Sequence, residues 1–332
     1  MTFHQVLELI SAYLVVAFLS VSVLRADENN SWEIKEIDGE KYVSVEQIRK
    51  YYRFDKSNRN ESSISLENNK ISMKLEIGSP ECHLNGIKII FSKPVTETGN
   101  SAYVSSWDLA GFLDPILRPN RIAADGDLRT VILDPAHGGK DPGISNELGD
   151  ESDFTFKIAK LTKEQLEAKG FTVVLTRKED GDASLEERLN HANLVEESAV
   201  FVNISFNSGP PSENGIQTIA VVRGEDVIAS DPFGWASVAL STSIHGAMIS
   251  KLGRNTSDRG IKRGETGMFS RIKHPAVFVH PGFMTHPTES RMISMLIYQT
   301  TVAKGIVEGI EKYKIAVPRR PKAKAEDGAD LK

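Results

Sequence analysis

"VILDPAHGGKDPG", residues 131–143, sets an apolar strand against a glycine-rich turn that carries a histidine, His137. A histidine held in a core needs walls, yet His137 has Gly138 and Gly139 beside it. That clearance suits an imidazole which something must approach closely. Outward from this stretch the chain keeps a steady rhythm. Residues 152–169 place Phe154, Ile158, Leu161 and Leu166 near one helical face, and Gly170 follows as a C-cap. "FTVVLTR" is a second strand, and "SLEERLNHANLVEE" a helix with Ser184 as N-cap and Glu187 at the capping-box position. "AVFVNISF", "GIQTIAVV" and "AVFVHPGF" are further strands, with a helix over "DPFGWASVALSTSIHGAMISKLG" and another closing at Tyr313. The alternation predicts an α/β domain over 128–315, a mostly parallel sheet with helices on both faces. In such sheets reactive groups gather beyond the carboxyl ends of the strands. His137, Ser205–Asn207 and His280 each follow an apolar strand, and Glu151 opens the helix after the first, so folding is expected to bring them together.

Before this domain, residues 31–122 read as a small α+β unit. Asp38-Gly39, Asn68-Asn69 and Asn85-Gly86 mark turns between short strands. "YVSVEQIRKYY" and "YVSSWDLAGFL" repeat one pattern, Tyr-Val-Ser and then a short helix that stops near Pro115 in the second copy. The unit resembles the copper amine oxidase N-terminal-like modules of some exported proteins, which implies a spacer or a wall-contacting role. Residues 118–130 read as a polar linker and 316–332 as a solvated, disordered tail. The first 26 residues carry an almost continuous apolar run from Leu7, read as either a signal peptide or an uncleaved membrane anchor. Both place the rest of the chain outside the cytoplasm, in the periplasm or cell envelope.

Of the 332 residues 40% are apolar and 26% charged, an ordinary globular balance. A net charge of −5 gives no broad basic field, so nucleic acid is not an expected partner. The single cysteine, Cys82, excludes an intramolecular disulfide and a cysteine-rich zinc cluster.

"VILDPAHGGKDPG", "SLEERLNHAN" and the later "SDRGIKRGETGMFSRIKHPAVFVHPGFMTHPTE" together resemble the zinc-dependent N-acetylmuramoyl-L-alanine amidases of the cell wall. The resemblance runs from about Val131 to Tyr313. It implies an amidase-like α/β fold, one zinc ion, and hydrolysis of the amide between N-acetylmuramic acid and L-alanine in peptidoglycan. It assigns zinc ligation to His137 and Glu151, with Glu147 the alternative to Glu151. The family's third ligand, a histidine, falls at Ser205. The family's catalytic glutamate falls at His280. A mild change, Ala136, stands where the family has glycine before its first histidine.

Two substituted positions leave three readings open. His280 replaces the missing ligand beside His137 and Glu151, since two histidines and a glutamate are an established zinc set. Or zinc is lost and the domain binds peptidoglycan, or regulates wall turnover, without cutting it. Or His280 is a general acid/base beside a poorly ligated metal. Asn207 and Arg177 are candidate substrate contacts. His191, His245, His274 and His286 read as structural or surface residues. A regulatory protein partner is compatible with each reading. A phosphate-cradling loop over "HGGKDPG" is disfavoured, because neither G-x-G-x-x-G nor G-x-x-x-x-G-K-[ST] is present and Pro142 lacks an N–H.

Overall fold

Left-handed turn residues shape the first third of the chain. Asp38 and Gly39 both take positive φ (51° and 79°) between β1 (Ile34–Ile37) and β2 (Glu40–Ser44), the backbone of a two-residue hairpin. β2 runs into α1 (Val45–Tyr51), whose N-cap Ser44 accepts from Gln47 N. β3 (Lys56–Arg59), β4 (Ser63–Glu67), β5 (Ser72–Glu76), β6 (Glu81–Leu84) and β7 (Ile87–Ile90) then form an antiparallel meander. Two of its turns are the expected ones. Asn68 Oδ1 accepts from Lys70 N and Ile71 N, and Asn85-Gly86 take φ of 50° and 80°. This computed structural model describes residues 32–179, 181, 183–223, 232–253, 256–264 and 266–320. The apolar run read as signal or anchor lies outside them, and no helix among the described residues is long and apolar enough to cross a membrane.

The two Tyr-Val-Ser segments are neighbours in space. β8 (Thr96–Thr98) pairs with β9 (Ser101–Ser105), and β9 pairs antiparallel with β2, Val104 opposite Val43. Ser105, like Ser44, caps the helix that follows it, α2 (Ser106–Asp108). The helical run ends at Leu117, close to Pro115. It passes through one π-helical turn, Leu109–Leu113, into α3 (Asp114–Leu117). A proline ring crowds the carbonyl four residues back and brings no N–H, and the wider turn ahead of it absorbs both defects.

The expected linker, residues 118–130, is anchored in the fold by its apolar residues while most of its polar ones stay exposed. Ile122, Ala124 and Leu128 belong to the main core, and β10 (Ala124–Asp125) pairs in parallel with β19 (Arg319–Arg320) near the chain's end. The expected tail is corrected over its first residues: Val317 is fully buried, and strand pairing continues to Arg320. Residues 321–332 lie outside the described part.

Apart from a small antiparallel hairpin of β12 (Ser145–Asn146) and β13 (Gly149–Asp150), the strands β11 (Thr130–Pro135), β14 (Thr172–Leu175), β15 (Ala199–Ile204) and β18 (Ala276–His280) are parallel neighbours in the order β14-β11-β15-β18. Next comes β16 (Ile216–Val221), antiparallel to β18, and then β17 (Asp258–Gly264), parallel to β16. The sheet does not end there. Ile261 of β17 pairs with Ile89 of β7, and the meander continues it to β3, making eleven strands. The expectation of a mostly parallel sheet is thus corrected to a mixed one, because hairpin-linked strands of the N-terminal unit extend it.

Helices cover both faces of the first part. Val131, Leu133, Val200, Val202, Val277 and Val279 face α4 (Glu151–Glu167), α6 (Pro232–Leu252) and α8 (Leu296–Ala316) in one core. Ile132, Phe201 and Ala276, one residue out of step, face α5 (Leu185–Asn193) and the 3-10 turn Gly267–Arg271. α5 begins with the expected capping box between Ser184 and Glu187. A short α7 (Pro287–Ser294) precedes α8.

The N-terminal unit shares its core with the second. Ala220, Val238 and Ile261 pack in one cluster with Ile48, Leu66, Leu75 and Phe112. Asp258 adds polar ties. Its carboxylate accepts from Lys88 N at 3.0 Å, Gly260 N at 2.7 Å and His245 Nε2 at 3.0 Å. Burial alone would raise its pKa, but His245 and these backbone donors outweigh that and hold it low. A depressed carboxylate stabilises the fold above its unfolded pKa, about 3.9, and loses that contribution as pH falls through the folded value. Urea midpoints of the wild type should therefore drop between pH 5 and pH 3 more steeply than those of Asp258→Asn. Parallel acid limbs would show that Asp258 does not carry this linkage.

Candidate active site

The sheet's alternation builds one wall of a cleft. Asp134, Asn203 and Phe278 lie side by side on three neighbouring strands, and Ser205 and His280 follow two residues further along. A cavity of about 630 Å³ opens there, lined by these five with Ala136, His137, Asp141, Glu151, Ser184, Leu185, Arg188, Phe206 and Phe269 among others. All four principal candidates, His137, Glu151, Ser205 and His280, thus face one space. They fall into two pairs.

His137 and Glu151 form the first pair, His137 Nε2 standing 3.3 Å from Glu151 Oε2. Glu151 is buried and otherwise committed to the backbone: Oε1 accepts from Phe206 N at 2.7 Å and Oε2 from Ile144 N at 3.2 Å. His137 Nδ1 meets Asp141 Oδ2 at 2.8 Å. The hydrogen bond to Glu151 comes first in raising the imidazole pKa, to about 9, against the cost of burial and with help from Asp141. His137 sits at φ 60°, a left-handed conformation uncommon for a residue with a Cβ. Arg188 holds it there, donating to His137 O at 2.6 Å, Pro135 O at 2.7 Å and Asp134 Oδ1 at 2.9 Å.

Ser205 and His280 form the second pair. Ser205 Oγ lies 3.3 Å from His280 Nδ1 and donates to Asn203 Oδ1 at 3.0 Å. Asn203 in turn donates to Asp134 Oδ2 at 2.7 Å. Burial drives the pKa of His280 down to about 4, against the charge of Glu151, so the ring is neutral at pH 7. Its Nε2 is buried without a hydrogen-bond partner.

The pair His137–Glu151 has a spacing that suits one metal, since two tetrahedral ligands at 2.0–2.1 Å stand roughly 3.3 Å apart. A third donor does not join them. Among the described residues no group of three His, Cys, Asp or Glu side chains is placed to hold a metal ion. The expected trio of His137, Glu151 and His280 is not assembled, and Ser205, at the absent histidine's place, is a neutral hydroxyl engaged with Asn203 and His280. These residues do not fit a catalytic zinc set of three protein ligands.

Other expectations are revised. Arg177 does not line the cleft. It is buried and donates to Pro135 O (3.0 Å), Ser152 O (2.8 Å) and Glu179 O (2.9 Å), bracing the loop from behind. Burial and the charge of Arg188 lower its pKa to about 10. Asn207 also stands outside the lining, its backbone bonded to Gly282 and Met284. Glu147 does not line the cleft either. His286 caps α7 by accepting from Glu289 N, His245 bridges Thr218 and Asp258, and His191 and His274 bond backbone carbonyls. Asp141, Asp134 and Arg188 were missed. Arg188 lies in a quoted motif, but a helical arginine reads as surface until Asp134 is known to lie beneath it.

Gly143 packs against the His137–Glu151 pair. A Cβ there would sit 2.6 Å from His137 Cδ2 and 2.8 Å from Glu151 Oε2, at a φ of 67°. Gly143→Ala should separate that pair and cost on the order of 2 kcal/mol, read as a lower urea midpoint. An unchanged midpoint would mean that the loop yields freely.

The sequence profile of the N-acetylmuramoyl-L-alanine amidases matches residues 131–312. YqiI of Bacillus subtilis (strain 168), an uncharacterized protein, is 30% identical over 185 residues, covering 56% of this chain and 84% of its own. The N-acetylmuramoyl-L-alanine amidase LytC of the same organism is 30% identical over 186 residues, 55% of this chain but only 35% of LytC. The N-acetylmuramoyl-L-alanine amidase structure from Clostridium difficile 630 is 28% identical and aligns over 57% of this chain and 97% of its own, with a TM-score of 0.48.

Proposed function

Because the chain belongs to the N-acetylmuramoyl-L-alanine amidase family, we propose that its cleft engages peptidoglycan outside the cytoplasm while hydrolysing the muramoyl–alanine amide weakly or not at all. The family acts on peptidoglycan, and every residue lining the cleft falls within the matched stretch 131–312. The observation that carries the second half is the donor set. A catalytic zinc needs three protein ligands and an open place for water, and here His137 and Glu151 stand without a third. The position that would relay a proton to the departing amine holds His280, neutral and buried, in contact with Ser205. What remains is suited to binding. The cationic His137 shares the lining with Arg188, Phe269, Phe278 and the half-exposed Leu185, a mixture that takes a sugar-linked peptide.

Purified full-length protein should sediment with insoluble peptidoglycan, contain well under one zinc per chain, and release almost no new alanine amino termini over hours. Failure to sediment overturns the binding half. Stoichiometric zinc with rapid amine release overturns the other.

A further inference from the structure

Where the N-terminal unit meets α6, a second cavity of about 520 Å³ is walled by four aromatic rings, Trp32, Tyr51, Tyr52 and Trp235. Two of the chain's three tryptophans are placed here. Each of the four rings is partly exposed, although the core beside them buries Phe54, Phe112 and Tyr313 almost completely. Their orientations are fixed. Trp32 and Tyr51 lie 4.6 Å apart, tilted by 49°, and Tyr51 meets Tyr52 edge-on at 4.9 Å. The Arg118 guanidinium lies 4.7 Å over Tyr51 and 5.3 Å over Tyr52. It donates to Tyr51 Oη at 2.6 Å and to Asp114 Oδ1 at 2.7 Å, and Tyr52 Oη donates to the same carboxylate oxygen at 2.5 Å. Ser106 and Arg121 complete the polar part of the lining.

This lining selects a chemistry. A cationic ligand would meet the charge of Arg118, which already covers Tyr51 and Tyr52, and that of Arg121. A purely apolar ligand would strand Asp114, Arg118 and Arg121 against hydrocarbon. A pyranose ring meets both demands, with C–H faces to lie on aromatic rings and hydroxyl or amide groups around its edge. We propose that this cavity binds an N-acetylated hexosamine unit of a glycan strand, apart from the cleft. The choice of glycan rests on the peptidoglycan reading above; the choice of a sugar rests on the cavity. A proline-rich peptide also docks on aromatic rings, but it favours an open groove over a walled pocket.

The test titrates the full chain with the β-1,4-linked trimer of N-acetylglucosamine, by calorimetry and tryptophan fluorescence. Saturable binding is expected, weakened at least about tenfold in Trp235→Ala and in Tyr51→Ala, with near-UV circular dichroism confirming the fold. Tyr52→Phe keeps the ring and should retain most of the affinity. No saturable binding, wild-type affinity retained in both alanine variants, or binding of a proline-rich peptide in place of the trimer overturns the proposal. Trimer binding without sedimentation on peptidoglycan would sink the peptidoglycan reading and leave the sugar cavity standing; the converse would do the opposite.

Discussion

Ser205→His combined with His280→Glu is expected to bind one zinc per chain and to release wall-peptide amino termini at least a hundredfold faster than the wild type. The grounds are geometric. Ser205 lines the same cavity as His137 and Glu151, whose 3.3 Å separation already matches two ligands on one ion. An imidazole at 205 supplies the third donor. A carboxylate at 280 supplies a group able to pass a proton to the leaving nitrogen, a role worth about 10²–10⁴ in rate. The single changes separate the two needs. Ser205→His alone should gain metal with little turnover, and His280→Glu alone should gain neither. Zinc content by mass spectrometry and amine release from purified peptidoglycan measure the two independently. A folded, zinc-loaded double variant that stays inert would place the defect elsewhere in the cleft and remove the argument that these two positions account for the loss.

The second large effect lies far from the cleft. Asp108 and Arg263 form a buried ion pair of 2.7 Å between the two units, with both side chains almost fully excluded from solvent. Asp108 also accepts from Ser92 N and Lys93 N, and Arg263 lies between the rings of Trp107 and Phe112 at 5.2 and 5.3 Å. Removing one partner leaves the other charge buried, which typically costs about 3–5 kcal/mol. Arg263→Met should therefore lower the urea midpoint strongly at pH 7. Burial already raises the pKa of Asp108 despite Arg263. Without Arg263 its folded pKa climbs further above the unfolded value, so the folded state gains from binding a proton. The variant should recover stability as the solution is acidified from pH 7 to pH 5, and the wild type should show a smaller gain. A small loss at pH 7, with no recovery, would mean that the pair contributes little to docking.

The cleft was legible in the sequence because it depends on a local rule. An apolar run of five or six residues ends, a polar residue follows, and parallel strands bring such ends together; His137, Ser205 and His280 each sit at such an end. The hairpins at Asp38-Gly39 and Asn85-Gly86 and the capping box at Ser184 are equally local. The union of the two units was not legible. The sheet passes from one unit to the other through a single parallel pairing, Ile261 with Ile89, between segments about 170 residues apart, and isoleucine in a strand names no partner. Leu128 and Ile122 went unread because charged neighbours masked them. Arg177 was misassigned because a strand-end arginine looks the same whether it reaches a ligand or folds back on three carbonyls.

Continuity of the sheet has a practical outcome for anyone who wishes to excise residues 128–315. Cutting away the meander uncovers the backbone edge of β17 together with Ala220, Val238 and Ile261, all buried in the intact chain. The intact sheet ends instead on β3, a short, solvated Lys-Ser-Asn-Arg strand that discourages a neighbour from adding on. The excised fragment would trade that guarded border for a raw one, and should collect in inclusion bodies or as soluble oligomers where the full-length chain stays dispersed.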